Sequence, residues 1–384
     1  MQRRIAHLPL HGGKAPAWLF KRMSHLAGAV TMTIVEEYGP EEMLRRLADP
    51  WWFQAFGCVL GFDWHSSGLT TVTCGALRDA QKRLGNDLGI LAAGGKGATS
   101  RKTPQQIAEL ASRHGITEGE RLIYASRMSA KVDSAAVLDS YQIYAHMIFF
   151  TPAGAWCVVQ QGMNENAGAA RRYHWLGKSV TDFVCEPHAG VHNSTPSQPR
   201  QPFLPGLLNM VAEEADQNRE ASASLVREPV ESVLREVARL TEGPTLFAPN
   251  HHRVLPTDVN VKQLHRVLRT AHERCPQDFE TLLGTKGVGP ATIRALSLLA
   301  EVIHNAPASH RDLGAPQPDA PTEDTRKWAD YSYAHGGKDG TPFPVDRTTY
   351  DQSIEVLLEA LRRARIGDND RSDALRRLAA LRPR

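Results

Sequence analysis

The residues best suited to chemistry lie in one short string, Leu282-Leu283-Gly284-Thr285-Lys286-Gly287-Val288-Gly289-Pro290-Ala291-Thr292. Glycines at two-residue spacing, Gly287 and Gly289, let a backbone come close to a phosphate. The amides there, and those opening the next helix at Ala291 and Thr292, can then bind its oxygens. Lys286 adds a charge. Val288 is expected to plug the gap between an apolar helix at 278–283 and a second helix at 290–303 that opens on Pro290. Such contacts position a backbone and read no base sequence. A plain helix-turn-helix with a glycine turn is the competing reading.

The string resembles the hairpin of DNA glycosylases of the helix-hairpin-helix type, with the likeness running over about residues 278–365. In that family the hairpin is followed by a helix, a V-D or P-V-D segment and another helix. Here Phe343-Pro344-Val345-Asp346-Arg347 stands just before a helix over 348–365. The resemblance implies that Asp346 is the carboxylate beneath the sugar, stabilising an oxocarbenium-like state or activating water after the base has flipped out. Capping the helix is its competing role. Tyr331, Tyr333 and His335 would stack on the extruded base and Lys338 would hold a phosphate, unless the aromatics merely staple their own loop. Two departures stand out. A long extra segment separates the hairpin from Asp346, and Ala291 occupies the position of the Lys found in lyase-competent members. Schiff-base chemistry is excluded there, and Lys286, on the other side of the turn, does not replace it. Over nearly its full length the chain also resembles a domain-of-unknown-function family, through LPLHGGKAPAWLF, FDWHSSGLTT, VVQQGMN, KGVGPATIRALSLLAEVI and YSYAHGGKDGTPFPVDRTTYD. That likeness implies no activity.

The N-terminal half offers a second chemistry. Asp133 and Asp139, on or near a helix that leads into a hairpin, could hold Mg²⁺ or Mn²⁺ with Lys131 steadying a phosphate, as in a metal-dependent nuclease. A solvated helix face is the alternative. Of three Gly-Gly-Lys strings, the one at Gly94-Gly95-Lys96 follows an apolar strand and precedes Arg101 and Lys102 at a helix start, an arrangement suited to a phosphate. It matches neither a Walker motif nor a dinucleotide fingerprint. Arg171-Arg172-Tyr173-His174-Trp175 interleaves cations with aromatics, as nucleic-acid surfaces do, or forms a partly buried helix. His11, His65, His146, His188 and His192 are scattered, although His65 and His188 could share a site with an Asp.

The elements that must position these residues fall into two groups. Residues 1–195 mix strand and helix signals and read as an α/β or α+β domain: strands near 5–10 and 89–93, a helix at 17–32, another started by Thr103-Pro104, and a hairpin across Thr151-Pro152-Ala153-Gly154. The polar, Pro-rich stretch 192–203 marks a boundary. Residues 196–384 read as an all-α domain with helices near 204–225, 229–241, 258–273, 290–304, 349–365 and 370–381, interrupted by a long insertion at 306–345. The 384 residues carry a formal charge of only +3, so any nucleic-acid surface must be local. Five cysteines without a C-x-x-C pair argue against a cysteine-built zinc site and fit a reducing compartment. With no run of about 18 uninterrupted apolar residues, the chain is expected to have no membrane partner and to be cytoplasmic, and the DNA reading makes it nucleoid-associated. The leading expectation is a DNA-repair glycosylase needing no cofactor. The alternatives are a structure-specific nuclease and a non-enzymatic DNA-binding protein.

Overall fold

The computed structural model describes residues 15–63, 66–193, 207–241, 261–313, 335–340 and 344–363. Expectations for the strand at 5–10, the first Gly-Gly-Lys string, His65, Tyr331, Tyr333 and the helix at 370–381 lie outside the described residues.

The described residues begin with four helices: α1 (Ala17–Tyr38), α2 (Pro40–Leu47), α3 (Pro50–Val59) and α4 (Gly68–Leu84). Proline sets two of these starts. Pro40 begins α2, and Pro50 begins α3 behind Asp49, whose carboxylate accepts the Trp51 amide at 2.8 Å and caps the helix. Strand β1 (Leu91–Lys96) follows, then α5 (Thr103–His114) and α6 (Gly119–Lys131). Thr103 is the first residue of α5 rather than its cap, and its hydroxyl donates to the Ser100 carbonyl. A π-helical turn at 132–136 leads into β2 (Val137–Leu138). Next come β3 (Gln142–Phe150), β4 (Trp156–Asn164), β5 (Ala169–Leu176) and β6 (Gly190–Asn193).

Strands β1, β3, β4, β5 and β6 form an antiparallel sheet in the order β1-β3-β4-β5-β6. The β3–β4 hairpin turns at the expected Thr-Pro-Ala-Gly. Strand β1 can approach β3 only because residue 94 is glycine: φ is +117° and a Cβ there would stand 2.2 Å from the His146 carbonyl oxygen.

The rest of the chain adds β7 (Leu208–Asn209), paired with β2, and α7 (Asp216–Leu225), α8 (Val230–Thr241), α9 (Val261–Arg274), α10 (Phe279–Gly284), α11 (Pro290–His304) and α12 (Arg347–Arg363). The helix expected over 204–225 begins only at Asp216. Leu208 and Asn209 are strand instead, and the Met210 amide is captured by the Ala136 carbonyl.

Side-chain alternation along the sheet sorts the molecule into layers. Leu91, Ile148, Phe150, Val158, Tyr173 and Trp175 point to one face and join a hydrophobic cluster with α5, α6 and α7–α11. Ala92, Met147, Phe149, Cys157 and Val159 point to the other and pack on α1–α4. Helix α12 returns to this second layer. Tyr350 is buried against Leu19 and Gly61, and its hydroxyl donates to the Leu60 carbonyl at 2.7 Å. The first cluster contains residues from both sides of 194–206, so sheet and C-terminal helices share one core. Among the described residues no helix is long and apolar enough to cross a membrane.

Candidate functional site

The turn at 284–290 is built from its two helices inward. Asp278 caps α10 by accepting the Thr281 amide at 2.7 Å. The Thr285 hydroxyl bonds back to the Thr281 carbonyl, and the Val288 amide donates to the Thr285 carbonyl at 3.2 Å. Val288 is 1 % exposed and fills the core beside Leu282, Leu283 and Ile293, as its place in the sequence predicts. Gly287 is exposed with φ +93°, the left-handed region that favours glycine. Gly289 differs. Its φ of −146° suits any residue, and an added Cβ would meet nothing nearer than the Gly287 carbonyl oxygen at 3.9 Å. Neither conformation nor packing requires glycine at 289.

Beyond Gly289, Pro290 starts α11, so the first-turn amides at Ala291 and Thr292 have no intrahelical partner. Thr292 itself is buried and Lys286 is exposed. Lys131, at the end of α6, donates its ammonium hydrogen to the Val288 carbonyl, and burial lowers its pKa. Arg127, one turn earlier and exposed, lies on the same side of α6.

Asp133 and Asp139 lie behind this turn, in a polar layer between sheet and helices. They are not on a solvated face: both are buried. The π-helical turn directs Asp133 inward, where its carboxylate accepts from Gln160 Nε2, from Trp175 Nε1 at 3.0 Å and from His188 Nε2 at 2.5 Å. Because the carboxylate only accepts, the proton order of the neighbours follows. Gln160 turns its oxygen to His146 Nδ1 at 2.8 Å, and His146 Nε2 is left to accept from the Ser126 hydroxyl at 2.8 Å. Burial lowers the His146 pKa, in keeping with a neutral ring. His188 Nδ1 is buried without a hydrogen-bond partner. The grouping of Ser126, His146 and Gln160 is not legible in the sequence, where His146 stands only as one of several scattered histidines, because residues from a helix and two strands show no local pattern; the pairing of His146 with Gln160 is a cross-strand register fact.

Asp139 belongs to a second group. It accepts from Arg171 Nη1 and from the Tyr173 hydroxyl, both at 2.7 Å, and Arg171 also pairs with Asp312 at 2.9 Å. Burial raises the Asp139 pKa against the opposing pull of Arg171. The expectation that Arg171 and Arg172 form a surface is corrected, as is that of a helix there. They lie on β5, 2 % and 0 % exposed, and point to opposite faces of the sheet. Arg172 has all its donors met by neutral acceptors, including Gln54, Thr70, the Pro50 carbonyl and His174. Among the described residues no three His, Cys, Asp or Glu side chains converge as a cation's ligands would.

Asp346 is exposed and caps α12. One oxygen accepts the Thr348 and Thr349 amides at 3.0 and 3.3 Å, and the other the Thr349 hydroxyl at 2.6 Å. These bonds hold its pKa below the usual carboxylate range. Helix α12 packs in the layer of α1–α4, whereas the turn packs on the opposite face of the sheet. The structure therefore does not bring Asp346 and the turn together. His335 is buried, bonded to the Val59 carbonyl at 2.6 Å and to Ser353 at 2.8 Å, so it offers no stacking face. Lys338 pairs with buried Asp63 at 2.8 Å and with Asp339 at 2.6 Å. Lys96, Arg101 and Lys102 are exposed beside the start of α5, and the Lys96 ammonium lies 5.5 Å from the centre of the Tyr144 ring.

The chain that folds this way, an antiparallel sheet with helical layers and a glycine turn on one face, matches over residues 4–345 a family whose description is "Protein of unknown function (DUF763)". The chain belongs to that family. No curated protein and no solved structure matches it.

Proposed function

We propose that the protein binds the sugar-phosphate backbone of nucleic acid, DNA in the first instance, through the turn at 284–290 and the opening of α11. The observation that carries the reading is Gly289. The fold sets no demand for glycine there, whereas a phosphate approaching the Ala291 and Thr292 amides would. Exposed Lys286 and Arg127 supply charge, and Lys131 holds the turn to α6 through the Val288 carbonyl. The reading is one of binding. A glycosylase would use Asp346, and a Mg²⁺- or Mn²⁺-dependent nuclease Asp133 and Asp139; these carboxylates serve as a cap and as buried acceptors.

The test uses the full chain, a labelled DNA duplex and a salt series, with Mg²⁺, Mn²⁺ or EDTA so that any cleavage is also read. Gly289→Leu should fold, since its backbone conformation suits any residue and an added Cβ meets nothing nearer than the Gly287 carbonyl oxygen at 3.9 Å, and should lose most of its affinity; Gly289→Ala controls for any packing cost. Lys286→Glu should weaken binding and reduce the log–log salt slope by about 0.9 for each phosphate that is no longer neutralised. Wild-type affinity and slope in both variants would overturn the proposal.

A further inference from the structure

Strand β1 is an edge of the sheet, and its outer side faces a cleft of about 290 Å³ between α4 and α5. The two helices belong to opposite layers, so the cleft opens over the sheet edge. Part of that edge is closed by side chains: the Gly94 amide donates to Gln106 Oε1 at 2.8 Å, and Arg78 Nη1 donates to the Gly94 carbonyl at 2.6 Å. These bonds show that Gly94 turns its backbone away from β3. By the two-residue period of the ladder, Ala92 does the same, and Ala92 lines the cleft. An outward N–H thus sits at the floor.

The walls are cationic. Arg78 and Lys82 come from α4 and Arg113 from α5, against one carboxylate, Glu109, which is itself held by Gln105 at 2.9 Å. Among the described residues neither Lys82 nor Arg113 has an ion-pair partner. Arg78 is oriented by its bond to Gly94 and keeps further N–H groups free of that bond. A fixed guanidinium, two unpaired cations and an edge amide around a small volume are the donor set for a phosphoryl group. The volume sits at the lower end of small-molecule sites, which run from about 300 to 1,000 Å³, so it suits a compact ligand.

We propose that this cleft binds a phosphate monoester, carried by a small molecule or by the 5′ end of a nucleic-acid strand. The site is independent of whatever the turn at 284–290 binds.

The full chain is titrated by calorimetry and thermal shift with inorganic phosphate, with a 5′-mononucleotide, and with an oligonucleotide bearing either a 5′-phosphate or a 5′-hydroxyl. Saturable phosphate binding in the millimolar range or tighter is expected. The double variant Lys82→Gln, Arg113→Gln, which breaks no ion pair among the described residues, should bind at least roughly tenfold more weakly, the usual scale for losing a charge-assisted bond. Lys21→Gln with Lys178→Gln makes the same charge change elsewhere and should bind as wild type. Preference for the 5′-phosphate over the 5′-hydroxyl strand assigns the strand end; tighter binding of the mononucleotide assigns the small molecule. Absence of saturable phosphate binding, or equal loss in both double variants, overturns the site.

Discussion

Three buried donors converge on Asp133, so it is the residue whose loss should cost most. Asp133→Ala leaves Gln160, Trp175 and His188 each short of an acceptor. At about 1–3 kcal/mol per stranded donor, a loss of about 3 kcal/mol or more is expected in urea unfolding. Asp346 provides the contrast. Asp346→Asn should leave stability nearly unchanged, because asparagine caps as well as aspartate, while Asp346→Ala should lower the urea midpoint. Full retention of stability in Asp346→Ala would remove the cap from the account.

The buried histidines set the pH response. Burial lowers the pKa of His25 to about 4, helped by Arg83, and lowers those of His146, His174 and His335. The unfolded chain takes up these protons near pH 6.5 and the folded chain only further down. Stability should therefore be full above about 6.5 and fall as pH drops toward 4, by up to about 1.4 kcal/mol per pH unit for each group. Urea midpoints across this window test it, and His25→Gln should flatten the fall.

Among the elements, helices were the most legible, because their apolar period survives whatever they pack against. The 17–32, 229–241, 258–273, 290–304 and 349–365 patterns all correspond to helices, as does the β3–β4 hairpin to its turn residues. Legibility failed where a long-range partner decides. The largely apolar run 207–212 carries no strand alternation, and partners distant in sequence hold it extended, among them β2, Ala136, Glu186 and Ser309. The cations and aromatics of β5 resemble a nucleic-acid surface until the sheet is seen covered on both faces. The two helices flanking 284–290 and the buried Val288 between them are legible in the sequence, because glycine, proline and one plugging valine are local signals. What was hidden is its tether. Lys131→Met removes the bond to the Val288 carbonyl and should weaken DNA binding together with a small fall in melting temperature. Unchanged affinity in that variant would make the tether purely a packing matter.

At the scale of the molecule, the cluster between the sheet and α5–α11 draws on residues from Leu91 to Leu313. Severing the chain near 200 would expose that surface on both pieces. One calorimetric transition is expected for the whole chain, and no cooperative fold for a fragment beginning at 207; two separable transitions would show independent halves. The return of α12 to the layer of α1–α4 has a consequence in time. Tyr350 closes the seam between Leu19 and Gly61 across a sequence separation of 290 residues to Leu60. At about 5–20 residues per second, a ribosome leaves the first four helices waiting tens of seconds for that ring. During synthesis the earliest-made layer is thus the last to be finished, and a nascent chain carries an open apolar seam that a chaperone could recognise.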